Sequence, residues 1–181
     1  MAHVCPWWLA YTFDNPLRTL VHKPDKIFSR YVKESQIVAD IGCGMGYFSL
    51  GLAKIVKQGG KVYAVDIQEK MLSNVKKRAI KAKLSDIIIP HLIDPKKLVL
   101  KEPLDFALAF WMVHETEDIQ QFIQEIYDSL KNGGLLLITE PKFHVSLKAL
   151  NEEIDIAESV GFKIKEKPKI TFSHSVLLEK E

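Results

Sequence analysis

Cysteine is scarce in this chain. Cys5 and Cys43 are the only two in 181 residues. They stand far apart and form neither a disulfide framework nor a metal-ligand spacing, which points to a reducing compartment and to no structural metal. Long apolar runs are missing too. No stretch approaches the roughly 20 residues that a membrane-spanning helix needs. The opening Met1–Trp8 lacks a basic region, and its apolar run stops by Asp14, so it reads as neither a signal peptide nor a span. Nor does one sign of charge dominate: Lys+Arg 25 against Asp+Glu 23 leaves a formal charge of +2. That balance offers no strong field for a polyanion, and the lysines, interspersed with acids, read as a solvated surface. The expectation is a cytoplasmic protein with no stable membrane anchoring and no nucleic-acid partner.

Repeats and low-complexity linkers are also absent, while apolar runs suited to strands alternate with stretches suited to helices. Gln36–Asp40, Lys61–Val65, the run starting at Ile87, Leu104–Phe110 and Leu135–Thr139 read as strands. Between them, helices are expected up to about Lys57, over Gln68–Lys83, over Ile119–Leu130 and over Leu147–Val160. Met71, Leu72, Val75, Ala79 and Ile80 would form the apolar stripe of the second of these. Asn132-Gly133-Gly134 reads as a helix C-cap, and Gly161 as a stop. Phe162–Lys167 and Thr171–Leu178 close the pattern as two further strands, separated by Pro168. Alternation with continuously apolar strands implies a doubly wound, mostly parallel α/β sheet with helices on both faces. A short N-terminal helical arm, residues 1–35, precedes a single domain over 36–181. In such sheets ligands bind beyond the carboxyl ends of the strands.

That is where the unusual residues fall. The first strand runs into Asp40-Ile41-Gly42-Cys43-Gly44-Met45-Gly46. Its glycines let the backbone turn sharply and approach a ligand, and the following helix aims free N–H groups and a positive dipole end at an anion. Cys43, between two glycines, reads as a small packing residue. Asp66 ends the second strand, where an acid can bind both hydroxyls of a ribose. A dinucleotide would call for G-x-G-x-x-G, yet Tyr47 stands three residues after Gly44 and Ser49 three after Gly46. A nucleoside-bearing cofactor with a compact anionic end fits better.

Val38-Ala39-Asp40-Ile41-Gly42-Cys43-Gly44-Met45-Gly46 resembles the first signature of the seven-stranded, Rossmann-like methyltransferases that use S-adenosylmethionine (SAM). Val62–Leu72 resembles their second. Asp105–Phe110 with His114 resembles their fourth-strand segment, and Leu130–Leu136 the turn into their fifth strand. The likeness runs over residues 36 to 179 in order and spacing, and its nearest branch is the small quinone-biosynthesis-like enzymes. It implies transfer of a methyl group from SAM, leaving S-adenosylhomocysteine. Asp40 and the loop Gly42, Cys43, Gly44 and Gly46 would hold the methionine end. Asp66 would bind the ribose, Ile67 the adenine face and Asp94 the adenine amino group, although His91-Leu92-Ile93-Asp94-Pro95 departs from the family's usual Gly-Asp. Phe110 would line the methionine side. A cofactor-binding sensor or partner subunit without turnover is the alternative.

Two residues are candidates for moving a proton. Glu140 follows the fifth strand, at the edge where substrate should sit, and His114 stands where the family frequently carries a histidine. His144 reads as a solvated loop residue and His174 as part of a closing strand. The aromatic stretch containing Trp7, Trp8, Tyr11 and Phe13 is either an arm packed on the sheet or a lid that forms the substrate pocket. The expected acceptor is a small molecule.

Overall fold

The structure is a computed structural model that describes residues 21–94, 97, 98, 100 and 102–181. Helix α1 (Pro24–Phe28) precedes β1 (Ile37–Ile41), α2 (Tyr47–Val56), β2 (Lys61–Asp66), α3 (Glu69–Ala82), β3 (Ile88–Leu92) and β4 (Leu104–Phe110). A 3-10 turn at Val113–Glu115 leads to α4 (Ile119–Ser129), β5 (Leu130–Pro141), α5 (Leu147–Val160), β6 (Phe162–Glu166) and β7 (Ser173–Lys180). The strands form a seven-stranded sheet in the order β3-β2-β1-β4-β5-β7-β6. β7 is antiparallel to both its neighbours, and the other pairs are parallel. Chain order reverses between β1 and β4, which makes their carboxyl ends the natural crevice.

Alternate residues of the continuous apolar strands feed two separate cores. Val38, Phe106, Leu108, Leu137 and Leu177 pack under α1, α2 and α3, against residues such as Phe28, Leu52 and Val75. Ala107, Ala109, Leu136, Ile138 and Val176 face α4 and α5, against Ile123, Ile126, Leu150 and Ile154. Each fully buried Leu, Ile or Phe contributes about 1.5–3 kcal/mol. Local signals agree with these helices. Asp118 caps α4 by accepting from the Gln121 N–H at 2.8 Å, and Ser146 caps α5 by accepting from the Ala149 N–H at 3.1 Å. Gly161, at φ 121°, ends α5.

Two local expectations are corrected. Asn132-Gly133-Gly134 is no helix cap. The backbone is already extended at Leu130, which pairs with Leu104, and the glycines lie inside β5 where the β4–β5 register shifts. Ile80 is 68% exposed, because the buried stripe of α3 is Met71, Leu72, Val75 and Ala79, and Ile80 falls beside it.

Candidate active site

The turn after β1 is built on three left-handed glycines: Gly42 at φ 68°, Gly44 at 53° and Gly46 at 80°. L-residues rarely adopt this backbone. The space around the three differs. A Cβ on Gly42 would lie 2.9 Å from Met112 Cγ, and one on Gly46 would lie 3.0 Å from Val75 Cγ2. A Cβ on Gly44 would meet nothing within 4 Å. Gly42 and Gly46 are therefore closely packed on the Cβ side, whereas the same side of Gly44 is open. The loop is pinned to its surroundings: Cys43 N–H donates to the Val65 carbonyl at 3.0 Å, and Arg78 donates to the Met45 carbonyl at 3.0 Å. Cys43 is buried, as a packing residue should be.

Two acids frame this loop. Asp66, at the end of β2, accepts from the Gly44 N–H at 2.9 Å through one oxygen and from the Gln68 N–H at 2.8 Å through the other. Burial raises its pKa above the ordinary carboxylate value, and N–H groups of Gln68, Gly44 and Ile67 oppose that rise. A carboxylate has further lone pairs to offer, so hydroxyls of a ligand can join these two donors. Asp40, also buried, accepts from the Ser49 hydroxyl at 2.5 Å, which ties β1 to the first turns of α2. Ile67 is half-buried just beyond Asp66. The chain passes from Ile93, whose N–H donates to the Asp66 carbonyl at 3.2 Å, to an exposed Asp94 bridged to Lys97.

His114 and Glu140 come together at the ends of the neighbouring strands β4 and β5. Trp111 turns the chain sharply after β4 in the left-handed region, at φ 61°. Its N–H donates to the Thr139 carbonyl at 2.7 Å, and its indole N–H to the Ser173 hydroxyl at 2.9 Å. This turn delivers the Val113–Glu115 segment against β5. His114 Nδ1 lies 2.5 Å from Glu140 Oε2, and the His114 backbone N–H donates to Oε1 at 3.2 Å. The Glu140 carboxyl is 0% exposed and the imidazole is 19% exposed. Glu140 is thus turned wholly to His114, and the imidazole is the member of the pair that solvent reaches. Burial disfavours the charged imidazole, but the hydrogen bond and charge of Glu140, with the charge of Glu115, outweigh burial and raise its pKa, and an ionised Glu153 raises it further. His144, exposed in the loop after β5, places its ring 4.9 Å from that of His114. His174 lies on β7 opposite Glu140.

Phe110 is 6% exposed, with Phe48 of α2 at 4.3 Å and His22 at 5.2 Å between ring centres. His22 Nε2 contacts the Thr171 carbonyl at 2.8 Å, and its own carbonyl accepts from Tyr47 at 2.7 Å. The chain just before α1 is therefore anchored over the end of β4. Trp7, Trp8, Tyr11 and Phe13 lie outside the described residues. A surface groove of about 600 Å³ between α1 and α2, lined by Pro24, Val32, Gly51 and Lys54 among others, involves none of the site residues.

One buried acid escapes a reading of the sequence. Glu153 is 3% exposed on the inner side of α5, with Leu150, Ile154 and Ala157. Its signal was an acid at helical spacing within an apolar stripe.

The profile of a family described as a methyltransferase domain matches residues 39–138, more than half of the chain. A carboxy-S-adenosyl-L-methionine synthase of Hydrogenovibrio crunogenus is 27% identical over 143 residues, covering 76% of this chain and 55% of that protein. A probable cobalt-precorrin-6B C(15)-methyltransferase (decarboxylating) of Saccharolobus solfataricus is 26% identical over 133 residues, covering 72% and 63%. The chain thus spans less than two thirds of the length of these relatives. Among solved structures, a SAM-dependent methyltransferase from Aquifex aeolicus superposes with a TM-score of 0.86 at 23% identity, covering 96% of this chain and 98% of that one. That likeness is one of fold.

Proposed function

The chain belongs to the methyltransferase domain family, whose cofactor is SAM, and from this we propose that it transfers a methyl group to a small-molecule acceptor with His114 taking the proton. The observation that carries the reading is the His114–Glu140 contact at the ends of β4 and β5, on the same sheet edge as the glycine loop. The quinone-biosynthesis-like branch is part of this proposal and rests on the resemblance of the motifs alone.

The residues fit the cofactor. A backbone direction left open at Gly44 and buried acids at Asp40 and Asp66 suit a ligand with an amino-acid end and a ribose. Asp40 and the loop would hold the first, and Asp66 the second, with Ile67 and Asp94 toward the adenine and Phe110 toward the methionine side. SAM supplies a methyl group already activated on a sulfonium, so the protein's work is placement and proton management. Glu140 accepts a hydrogen bond from Nδ1–H, which fixes the neutral imidazole with its lone pair on Nε2. When an acceptor O–H, S–H or acidic C–H gives up its proton, Nε2 takes it, and the adjacent Glu140 charge stabilises the imidazolium that forms. Glu140 is accordingly the positioning partner and His114 the base. Residues 1–35 are read as an arm and lid. The packing of His22 on Phe110 and Trp111 supports this, because it leads the chain over the edge where water must be excluded.

The test is S-adenosylhomocysteine formation from SAM in the presence of fractionated small-molecule extracts, with RNA as a comparison. The reading expects release with a small-molecule fraction and a fall of about 10²–10⁴ in kcat for His114→Ala at unchanged SAM affinity. Equal turnover by His114→Ala would remove the base. Release with RNA alone would remove the small-molecule acceptor.

A further inference from the structure

We propose that Glu153 is a positioning residue for His114: a carboxyl buried on the face of α5 that is turned to the sheet, coupled to the His114–Glu140 pair and so deciding when the imidazole is free to take a proton. Its catalytic meaning rests on His114 acting as the base. The electrostatic coupling itself does not.

The helix that carries Glu153 has no use for an acid there. Leu150, Ile154 and Ala157 make the face of α5 that packs on the sheet, and Glu153 shares it at 3% exposure. Among the described residues its buried Oε2 has no hydrogen-bond partner. An ionised carboxylate in that position would lose its hydration without compensation, which costs several kcal/mol and drives such a group to keep its proton. A second buried carboxyl, Glu140, lies against His114. Glu140 alternates along β5 with Leu136 and Ile138, which pack with Leu150 and Ile154 of α5, so both carboxyls lie on the same face of the sheet, and the one with an unpartnered buried oxygen is the one that keeps its proton.

The titratable groups on this side of the sheet come from several elements. Glu140 stands on β5 and His174 opposite it on β7, His114 and Glu115 lie in the 3-10 turn, and His144 is in the loop before α5. α4 contributes apolar Ile123 and Ile126. Burial first, then the charge of Glu140, push the Glu153 carboxyl up to about 8, while His114 pulls it down. At neutral pH Glu153 therefore keeps its proton. The imidazole then faces one buried charge and can cycle between its two forms. Were Glu153 ionised, a second charge would hold His114 as imidazolium, and the base would be lost.

The test is a pH titration of the His114 ring carbon by NMR on the full chain, without substrate, in wild type, Glu153→Gln and Glu153→Leu. Gln keeps the shape of the neutral acid, and Leu extends the apolar stripe, so the two differ in packing but not in charge. The wild type is expected to show a second inflection near pH 8, where Glu153 ionises. Both variants should titrate in one step with a lower midpoint. Thermal melts give a second reading. A carboxyl with a raised folded pKa contributes stability below its unfolded value that is lost as pH rises through about 8. The wild type should therefore lose melting temperature relative to Glu153→Gln between pH 5 and 9. Superposed titration curves, or an inflection near pH 8 that survives in both variants, would overturn the role of Glu153. Failure of wild type to transfer methyl groups would overturn the base reading instead.

Discussion

His114, bonded to a fully buried Glu140, is the proposed base, and its neighbour sets its strength. Its pKa is raised, so the neutral form needed to take a proton is reached only above the ordinary histidine range. The acidic limb of kcat/KM should accordingly lie above that range. Glu140→Gln removes the charge that favours imidazolium, which shifts the limb to lower pH and lowers kcat by about 10²–10⁴. A limb that stays in place in this variant would separate Glu140 from His114. The same shift has a stability sign. The contribution of His114 is present below its unfolded pKa and lost as pH rises through the raised folded value. Both residues could be named from the sequence, because each follows a strand at the edge where ligands gather. Their contact and the burial of Glu140 could not, because a continuously apolar strand does not reveal which face each residue takes. Glu153 was hidden for the same reason: helical spacing marks a stripe, but not what that stripe meets.

At the scale of elements, the glycine loop separates two uses of one residue type. Gly42→Ala places a Cβ against Met112 and strains a left-handed backbone, the strain alone costing about 1–2 kcal/mol. Gly44→Ala pays the strain without the clash. Gly42→Ala should therefore melt lower than Gly44→Ala, while Gly44→Ala, folded, should lose most of its affinity for S-adenosylhomocysteine. Calorimetry and thermal melts on both decide this. Equal melting of the two, or full affinity in Gly44→Ala, would contradict the division. The loop's position and the succession of elements were legible in the sequence, since glycine spacing and apolar runs report them directly. Asn132-Gly133-Gly134 misled, because a glycine that ends a helix and one that bends a strand look alike until the partner strand is known. Leu130 pairs with Leu104, and that pairing is a long-range fact.

For the whole molecule, a formal charge of +2 describes no actual surface. Lys70, Lys76, Lys77, Lys81 and Lys83 are exposed along α3, on one face of the sheet. Glu117, Asp118, Asp128, Glu152 and Asp155 lie on and around α4 and α5, on the other. The order of strands joins these faces at one edge, where β1, β2, β4 and β5 carry Asp40, Asp66, Phe110 and Glu140. SAM is expected to bind at that edge. Isothermal calorimetry of S-adenosylhomocysteine with the wild type and with folded Asp66→Ala tests it most directly. The expected result is saturable binding by the wild type and a loss of about 1.5–3 kcal/mol in the variant, as for charge-assisted hydrogen bonds to a ribose. No binding by the wild type, or equal affinity in Asp66→Ala, would contradict it.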